Sequence, residues 1–298
     1  MKRLKALSMF IAVFVSLAIP CVLFARDINP IVSSEWLDQS LSNPKLVMVD
    51  IRKVEEYKAG HVPGAINVFY NIWAPKKGEL RNELPADDDL RDILSSNGIG
   101  IDSLITVVGK TDTMSDRFDS SRVAWTLLYA GVPNVAILDG GFNKWTAEGR
   151  KTSTDAVKPK EKSFKGKFNK AMFVNRDYLL SHLDKALIVD VREPDFYNGT
   201  KKLDFVSRMG HIKGAVNLPS SQLFTKDGTY KDKNAISDLL SKIIGNDMDR
   251  EMILYCDTGK VATAYGFLLK EMFGYKNVKL YDGSSEEWTK DSNVPMEP

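Results

Sequence analysis

The chain has 298 residues, enough for two domains of ordinary size, with 43% hydrophobic and 27% charged residues. This composition excludes a disordered, collagenous or solenoid chain. The formal charge is +2, and without the basic, acid-free first 25 residues it becomes −1, so charge supports neither nucleic acid nor an anionic membrane surface as a partner.

The N-terminus reads as a secretory signal. Lys2, Arg3 and Lys5 form a basic region, Met9 to Ile19 an apolar core, and Ala25 a cleavage residue before Arg26. Pro20 interrupts the apolar run, which argues against an uncleaved anchor. A lipoprotein on Cys21 is disfavoured by that same Pro20 just before it. The expected location is the periplasm. Cleavage after Ala25 leaves Cys256 as the only thiol, and a lone thiol in an oxidising compartment must be buried or used.

The remainder contains one unit twice. Leu46-Val-Met-Val-Asp-Ile-Arg52 matches Leu187-Ile-Val-Asp-Val-Arg192. Gly60-His-Val-Pro-Gly-Ala-Ile-Asn67 matches Gly210-His-Ile-Lys-Gly-Ala-Val-Asn217. Asp139-Gly-Gly-Phe-Asn-Lys-Trp145 matches Asp282-Gly-Ser-Ser-Glu-Glu-Trp288. Three ordered matches at nearly constant offset indicate duplicated domains, expected over 28–150 and 171–298. Lys151 to Lys170 between them is rich in Lys, Ser and Thr and reads as a surface linker.

Each copy opens with a helix, Glu35 to Leu41 capped by Ser33 or Ser34, and Arg176 to Leu183 capped by Asn175. Strands follow at Leu46–Val49 and Leu187–Val189, then near Ala65–Val68 and Ala215–Leu218. A third pair lies at Ile105–Val108 and Met252–Tyr255, each followed by a helix, Arg122–Tyr129 and Ala262–Met272. A fourth pair, Val135–Leu138 and Val278–Tyr281, ends in the Asp-Gly turns. Continuous apolar strands alternating with helices predict an α/β fold with a parallel sheet covered on both faces in each domain.

The copies also control for each other. Asp50/Arg52 and Asp190/Arg192 occur in both and read chiefly as ion pairs pinning a loop. His61 and His211 read as turn histidines bonded to backbone, His182 as a helix-surface residue without a partner, and Trp145 and Trp288 as packing residues. After the third strand the copies part. The first has Gly109-Lys110 and a long loop through Ser121. The second has Cys256 and a compact loop. A thiol at the carboxyl end of a parallel strand, before a helix, faces backbone N–H groups that favour its anion. Cys256 is therefore the candidate nucleophile, with its pKa expected to fall. The first domain is expected to form one wall of the cleft. Two cysteines and three scattered histidines make no zinc site.

These motifs (Asp-x-Arg, Gly-His-x-x-Gly-Ala-x-Asn, Cys-x-x-Gly-x-x-Ala-Thr, and Asp-Gly before Trp) resemble the tandem rhodanese (thiosulfate sulfurtransferase) family from about Ile31 to Trp288. The resemblance implies two tandem rhodanese-like domains and a persulfide on Cys256, loaded from a donor such as thiosulfate and passed to cyanide or a thiol. It implies a small sulfur-containing anion or thiol as partner, a periplasmic protein partner as a further candidate, and neither metal nor organic cofactor. The N–H groups from Asp257 through Thr258, Gly259, Lys260, Val261, Ala262 and Thr263 are expected to cradle the persulfide, with Arg192 as a further binding candidate.

Two positions depart from the family pattern. Asp257 stands where many members have Arg or Lys, and Phe196 where tandem enzymes often have Arg. Arg208, in the long loop Lys201 to Met209, is the candidate replacement. Asp257 is expected to raise the thiol pKa and repel dianions. The rival reading is a sulfane-sulfur carrier with little turnover. A cysteine phosphatase or arsenate reductase needs Arg six residues after the cysteine, where this chain has Ala262.

Overall fold

The computed structural model describes residues 26–298, so the signal segment lies outside the described residues. The first domain holds strands β1 (Ile31–Val32), β2 (Leu46–Asp50), β3 (Ile66–Asn67), β4 (Leu104–Val108) and β5 (Val135–Leu138). They form one parallel sheet in the order β1-β5-β4-β2-β3. The second holds β6 (Phe173–Val174), β7 (Leu187–Asp190), β8 (His211–Ile212), β9 (Val216–Asn217), β10 (Met252–Tyr255), β11 (Val278–Tyr281) and β12 (Met296–Glu297). Its parallel sheet runs β6-β11-β10-β7-β9, and β8 pairs antiparallel with β12 at the chain's end. Strands β4, β5, β7 and β10 are buried along their whole length because helices cover both faces.

Most expected elements appear within a residue or two. The first helix is Ser34–Ser40, capped by the Ser33 side chain, and Asn175 caps a helix that stops at Leu180. Edge strands β1 and β6 and the helices Asp87–Ser96 and Lys233–Ile243 add to the expected set. Each of those helices buries a leucine or isoleucine pair four residues apart, Leu90/Leu94 and Ile236/Leu240, beneath an otherwise polar surface. The segment from Lys151 to Lys170 lies along the first domain: Phe164 is buried, and Lys162 and Asn169 donate their backbone N–H groups to Ser95 and Tyr129.

The two domains share one continuous core. Helix Asp119–Tyr129 packs against helix Ala262–Glu271, with Trp125 so close over Gly266 that a Cβ there would sit 3.2 Å from the ring. Each domain also sends an arm to the other's Asp-Gly turn. Leu84 N–H donates to Asp282 Oδ2 at 2.8 Å, and Tyr230 N–H donates to Asp139 Oδ1 at 2.8 Å. The duplication is thus also a structural pseudosymmetry.

The histidines answer to local packing. His61 and His211 each donate from Nδ1 to a tyrosine carbonyl, Tyr57 and Tyr197, and stack on that tyrosine's ring. His182 corrects the sequence reading: it does the same with Tyr178, because the i to i+4 spacing lays one ring on the other. Trp145 and Trp288 are fully buried.

Candidate active site

Strand β10 delivers Cys256 to the middle of the second sheet's carboxyl edge. In register, Tyr255 pairs with Asp190 as Val108 pairs with Asp50. Gly109 is therefore the first domain's counterpart of Cys256. A side chain at Gly109 would run into the Ser120 hydroxyl, which would have to turn away to admit it.

The loop after Cys256 wraps the sulfur. The backbone N–H groups of Ala262, Thr258 and Val261 point at it. Gly259 makes the turn at φ +71, where a Cβ would meet the Asp282 carbonyl at 2.5 Å. Two N–H groups of the loop are spent elsewhere, contrary to the sequence expectation. Gly259 N–H donates to Ser284 Oγ at 2.9 Å, and Thr263 N–H donates to the Lys260 carbonyl at 3.2 Å. Helix formation takes the second. The first goes to a brace: Ser284 Oγ also accepts from Cys256 N–H at 3.2 Å and donates to the Tyr281 carbonyl at 2.9 Å. Ser284 holds a left-handed backbone at φ 49 to do so. Its counterpart is Gly141.

The first domain supplies the facing wall, as expected. Asn82 donates to Thr258 Oγ1 at 2.8 Å and is itself fixed by the Tyr70 hydroxyl at 2.9 Å. Lys260 pairs with the Asp119 carboxylate, hydrogen-bonds Ser115 Oγ at 3.0 Å, and lies over the Tyr70 ring. Ser121 meets Thr263 Oγ1 at 3.2 Å, and Arg122 donates to the Gly259 carbonyl at 3.2 Å. The first copy's long loop before its helix is what carries Ser115 and Asp119 to Lys260. Among these partners, Ser284 had a visible sequence signal, since the copies read Asp-Gly-Gly and Asp-Gly-Ser at that turn. The others come from the opposite domain and had none.

Arg192 sits beside the loop but is already committed. Its Nε and Nη2 grip Asp190, the latter at 2.6 Å, and Nη2 also donates to the Gly210 carbonyl at 2.9 Å. Its Nη1 faces Asp257 Oδ1 at 3.6 Å, beyond hydrogen-bond reach. Arg52 does the same with Asp50 and Gly60. Arg208 departs from its expected role. Its guanidinium donates to the carbonyls of Thr289, Asp291, Ser292 and Val294, so it anchors the C-terminal segment and is not aimed at Cys256. Those carbonyls follow the last helix and have no other use for their lone pairs.

Electrostatics around the sulfur run against the simplest expectation. Cys256 is 1% exposed. Burial pushes its thiol above the usual range and the Asp257 carboxylate adds to the rise; the three N–H groups pull it down without offsetting the two. Asp257 is itself pushed up to about 6 by burial, opposed by Arg192 and reinforced by Asp190. The arrangement is a buried thiol, its pKa raised, faced by three backbone N–H groups.

Comparison with known proteins agrees with this reading of the fold. The family described as Rhodanese-like domain matches residues 33–148 and again 175–291. A Mycolicibacterium smegmatis protein named "Putative thiosulfate sulfurtransferase" is 29% identical over 275 residues, covering 90% of this chain and 97% of its own. The "Sulfur carrier protein TtuD" of Thermus thermophilus is 27% identical over 281 residues, covering 89% and 95%. The crystal structure of the anaerobic ergothioneine biosynthesis enzyme from Chlorobium limicola, with trimethyl histidine, superposes with a TM-score of 0.80 at 22% identity, over 90% of this chain and 70% of that one. Matched over both of its halves, the chain belongs to the rhodanese-like family and carries two copies of its domain.

Proposed function

We propose that the protein is a sulfurtransferase that moves sulfane sulfur from a donor such as thiosulfate to a thiophilic acceptor through a persulfide on Cys256. The observation that carries this reading is the convergence of the Ala262, Thr258 and Val261 N–H groups on one buried sulfur in only one of two duplicated domains. An outer sulfur carrying negative charge gains from those donors what a bare thiol does not. The names of the relatives from Mycolicibacterium and Thermus support sulfur handling.

Cys256 attacks the donor's outer sulfur, the donor's S–S or S–SO3 bond breaks, and the thiolate or sulfite departs. The acceptor then removes the outer sulfur and regenerates the thiol. The catalytic residue is Cys256; Thr258, Gly259, Lys260, Val261, Ala262 and Thr263 shape its loop. The N-terminal signal reading makes the periplasm the proposed site of action.

A carrier that holds sulfur for a protein partner is the second reading, favoured by Asp257 beside the thiol and by the name of the Thermus relative. Turnover of thiosulfate or of a persulfide with cyanide to thiocyanate, with intact-mass analysis of wild type and Cys256→Ala, separates the two. Turnover lost in the variant supports the enzyme. A stable one-sulfur adduct without turnover supports the carrier. Turnover that persists without Cys256 sinks both.

A further inference from the structure

We propose that Asp257 sets the donor class of this site: it disfavours the thiosulfate dianion and selects sulfane donors of lower charge, above all alkyl persulfides. The inference rests on Cys256 as the sulfur-accepting nucleophile, and concerns what that nucleophile is offered.

The warrant is the state of the cations around the loop. Arg192 is gripped by Asp190 through two nitrogens and by the Gly210 carbonyl. Lys260 is paired with Asp119, and Arg122 is paired with Asp282. Arg81, on the arm covering the loop, is paired with Glu286 and lies against the Phe205 ring. Lys110, at the place in the first domain that Asp257 holds in the second, is paired with Glu56. Each of these charges is neutralised by a carboxylate before any donor arrives.

Asp257 is the opposite case. Its Oδ1 is buried without a hydrogen-bond partner, and the nearest guanidinium nitrogen stands 3.6 Å away on an arginine engaged elsewhere. The residue next to the thiol therefore contributes unbalanced negative charge to the mouth of the nest. The N–H groups can hold one negative charge on the transferred sulfur. A dianion would set its second charge, spread over a sulfonate, against Asp257, while Arg192, Lys260, Arg122 and Arg81 are each already paired.

An alkyl persulfide avoids the conflict. Cys256–SH and R–S–SH give Cys256–SSH and R–SH. The cysteine sulfur attacks the outer sulfur, the donor's S–S bond breaks as the new one forms, and the departing thiolate takes the proton that Cys256 released. No oxidant or reductant is consumed.

The test is single-turnover loading of Cys256, read by intact mass. Thiosulfate is compared with cysteine persulfide generated in the assay, using wild type, Asp257→Asn and Asp257→Lys. Wild type is expected to load from the persulfide at least a hundredfold faster at equal concentration. The ratio of thiosulfate to persulfide rates should rise at least tenfold in D257N and further in D257K. The ratio cancels any change in thiol reactivity common to both donors, and the wild-type comparison needs no variant to fold. Wild-type thiosulfate loading should also quicken with added salt, as screened repulsion requires. Equal wild-type rates, or a ratio unmoved in both variants, overturns the donor assignment and leaves the nucleophile intact. A sulfur adduct from neither donor in any of the proteins overturns the Cys256 reading itself, and this inference with it.

Discussion

Arg122 of the first domain and Asp282 of the second meet in a two-pronged ion pair across the domain boundary, Nη1 to Oδ1 at 2.5 Å and Nη2 to Oδ2 at 3.3 Å, with the arginine wholly buried. The same guanidinium holds the Gly259 carbonyl, and the same carboxylate holds the arm's Leu84 N–H. One pair thus joins domain docking to the shape of the cysteine loop.

Removing one partner of such a pair strands the other charge away from water. Arg122→Met is expected to cost about 3–5 kcal/mol of stability. The double variant Arg122→Met/Asp282→Asn should recover part of that loss, because no unpaired charge remains and the amide still accepts from Leu84. Urea unfolding of the three proteins measures both. A single-variant loss below about 1 kcal/mol, within the range of exposed pairs, would show that the interface does not depend on it.

Ser284 does two opposed things: it strains the backbone at φ 49 and braces the N–H groups of Cys256 and Gly259. Ser284→Ala keeps the strain and loses the brace, for an expected cost of about 1–3 kcal/mol from the two stranded donors. Ser284→Gly loses the brace but relieves the strain, so it should be more stable than the alanine variant by about 1 kcal/mol. Both should slow iodoacetamide alkylation of Cys256 and shift its pH midpoint upward, since the loop no longer aims its N–H groups at the sulfur. Equal reactivity of both variants and wild type across pH would reduce Ser284 to a packing residue.

Much of this was legible in the chain. Strands β4, β5, β7 and β10 are near-continuous apolar runs rich in Val, Ile and Leu, with few rival interpretations. Cys256 stood out because the other copy has glycine there. The contacts that shape the site were not legible, because Asn82, Asp119 and Arg122 reach it from more than a hundred residues away and nothing local marks them. Arg208 was misread for the same reason: its partners are backbone carbonyls near the chain's end, and carbonyls leave no trace in residue identity. Asp257 announced its share of the rise in the thiol pKa, but the larger share, from burial, was hidden, since it depends on how completely the opposite domain excludes water.

Gly259 is held at φ +71 with the Asp282 carbonyl against the place of a Cβ. Gly259→Ala must therefore strain the backbone and push apart the turn that carries Ser284. The expected outcome is a loss of about 2–4 kcal/mol together with at least a tenfold drop in sulfur loading. Gly274, also at positive φ (+80) but with open space around it, provides the control: Gly274→Ala should cost about 1–2 kcal/mol and leave loading unchanged. Loss of loading in both variants would trace the effect to general destabilisation.

Glu83 makes the domain interface sensitive to pH. Burial, the nearby Asp282 carboxylate and Glu287 push its carboxyl up to about 8 against the pull of Arg122, and its Oε1 is buried without a partner. A carboxyl raised on folding binds its proton more tightly in the folded state. Its contribution to stability is thus fully present below the unfolded value near 4.5 and is lost as pH climbs through the folded value near 8. Glu83→Gln mimics the protonated form at every pH. The variant should match wild type near pH 5 and become more stable than it as pH rises, by about 1–2 kcal/mol at pH 8.5 once solvent screening of the partly exposed group is allowed for. Thermal unfolding of both proteins from pH 5 to 9 measures the difference directly, and cancels the similar slope that Asp257 adds to each. A difference that stays flat over this range would mean that Glu83 is ionised in the folded protein at neutral pH, with Arg122 balancing both it and Asp282.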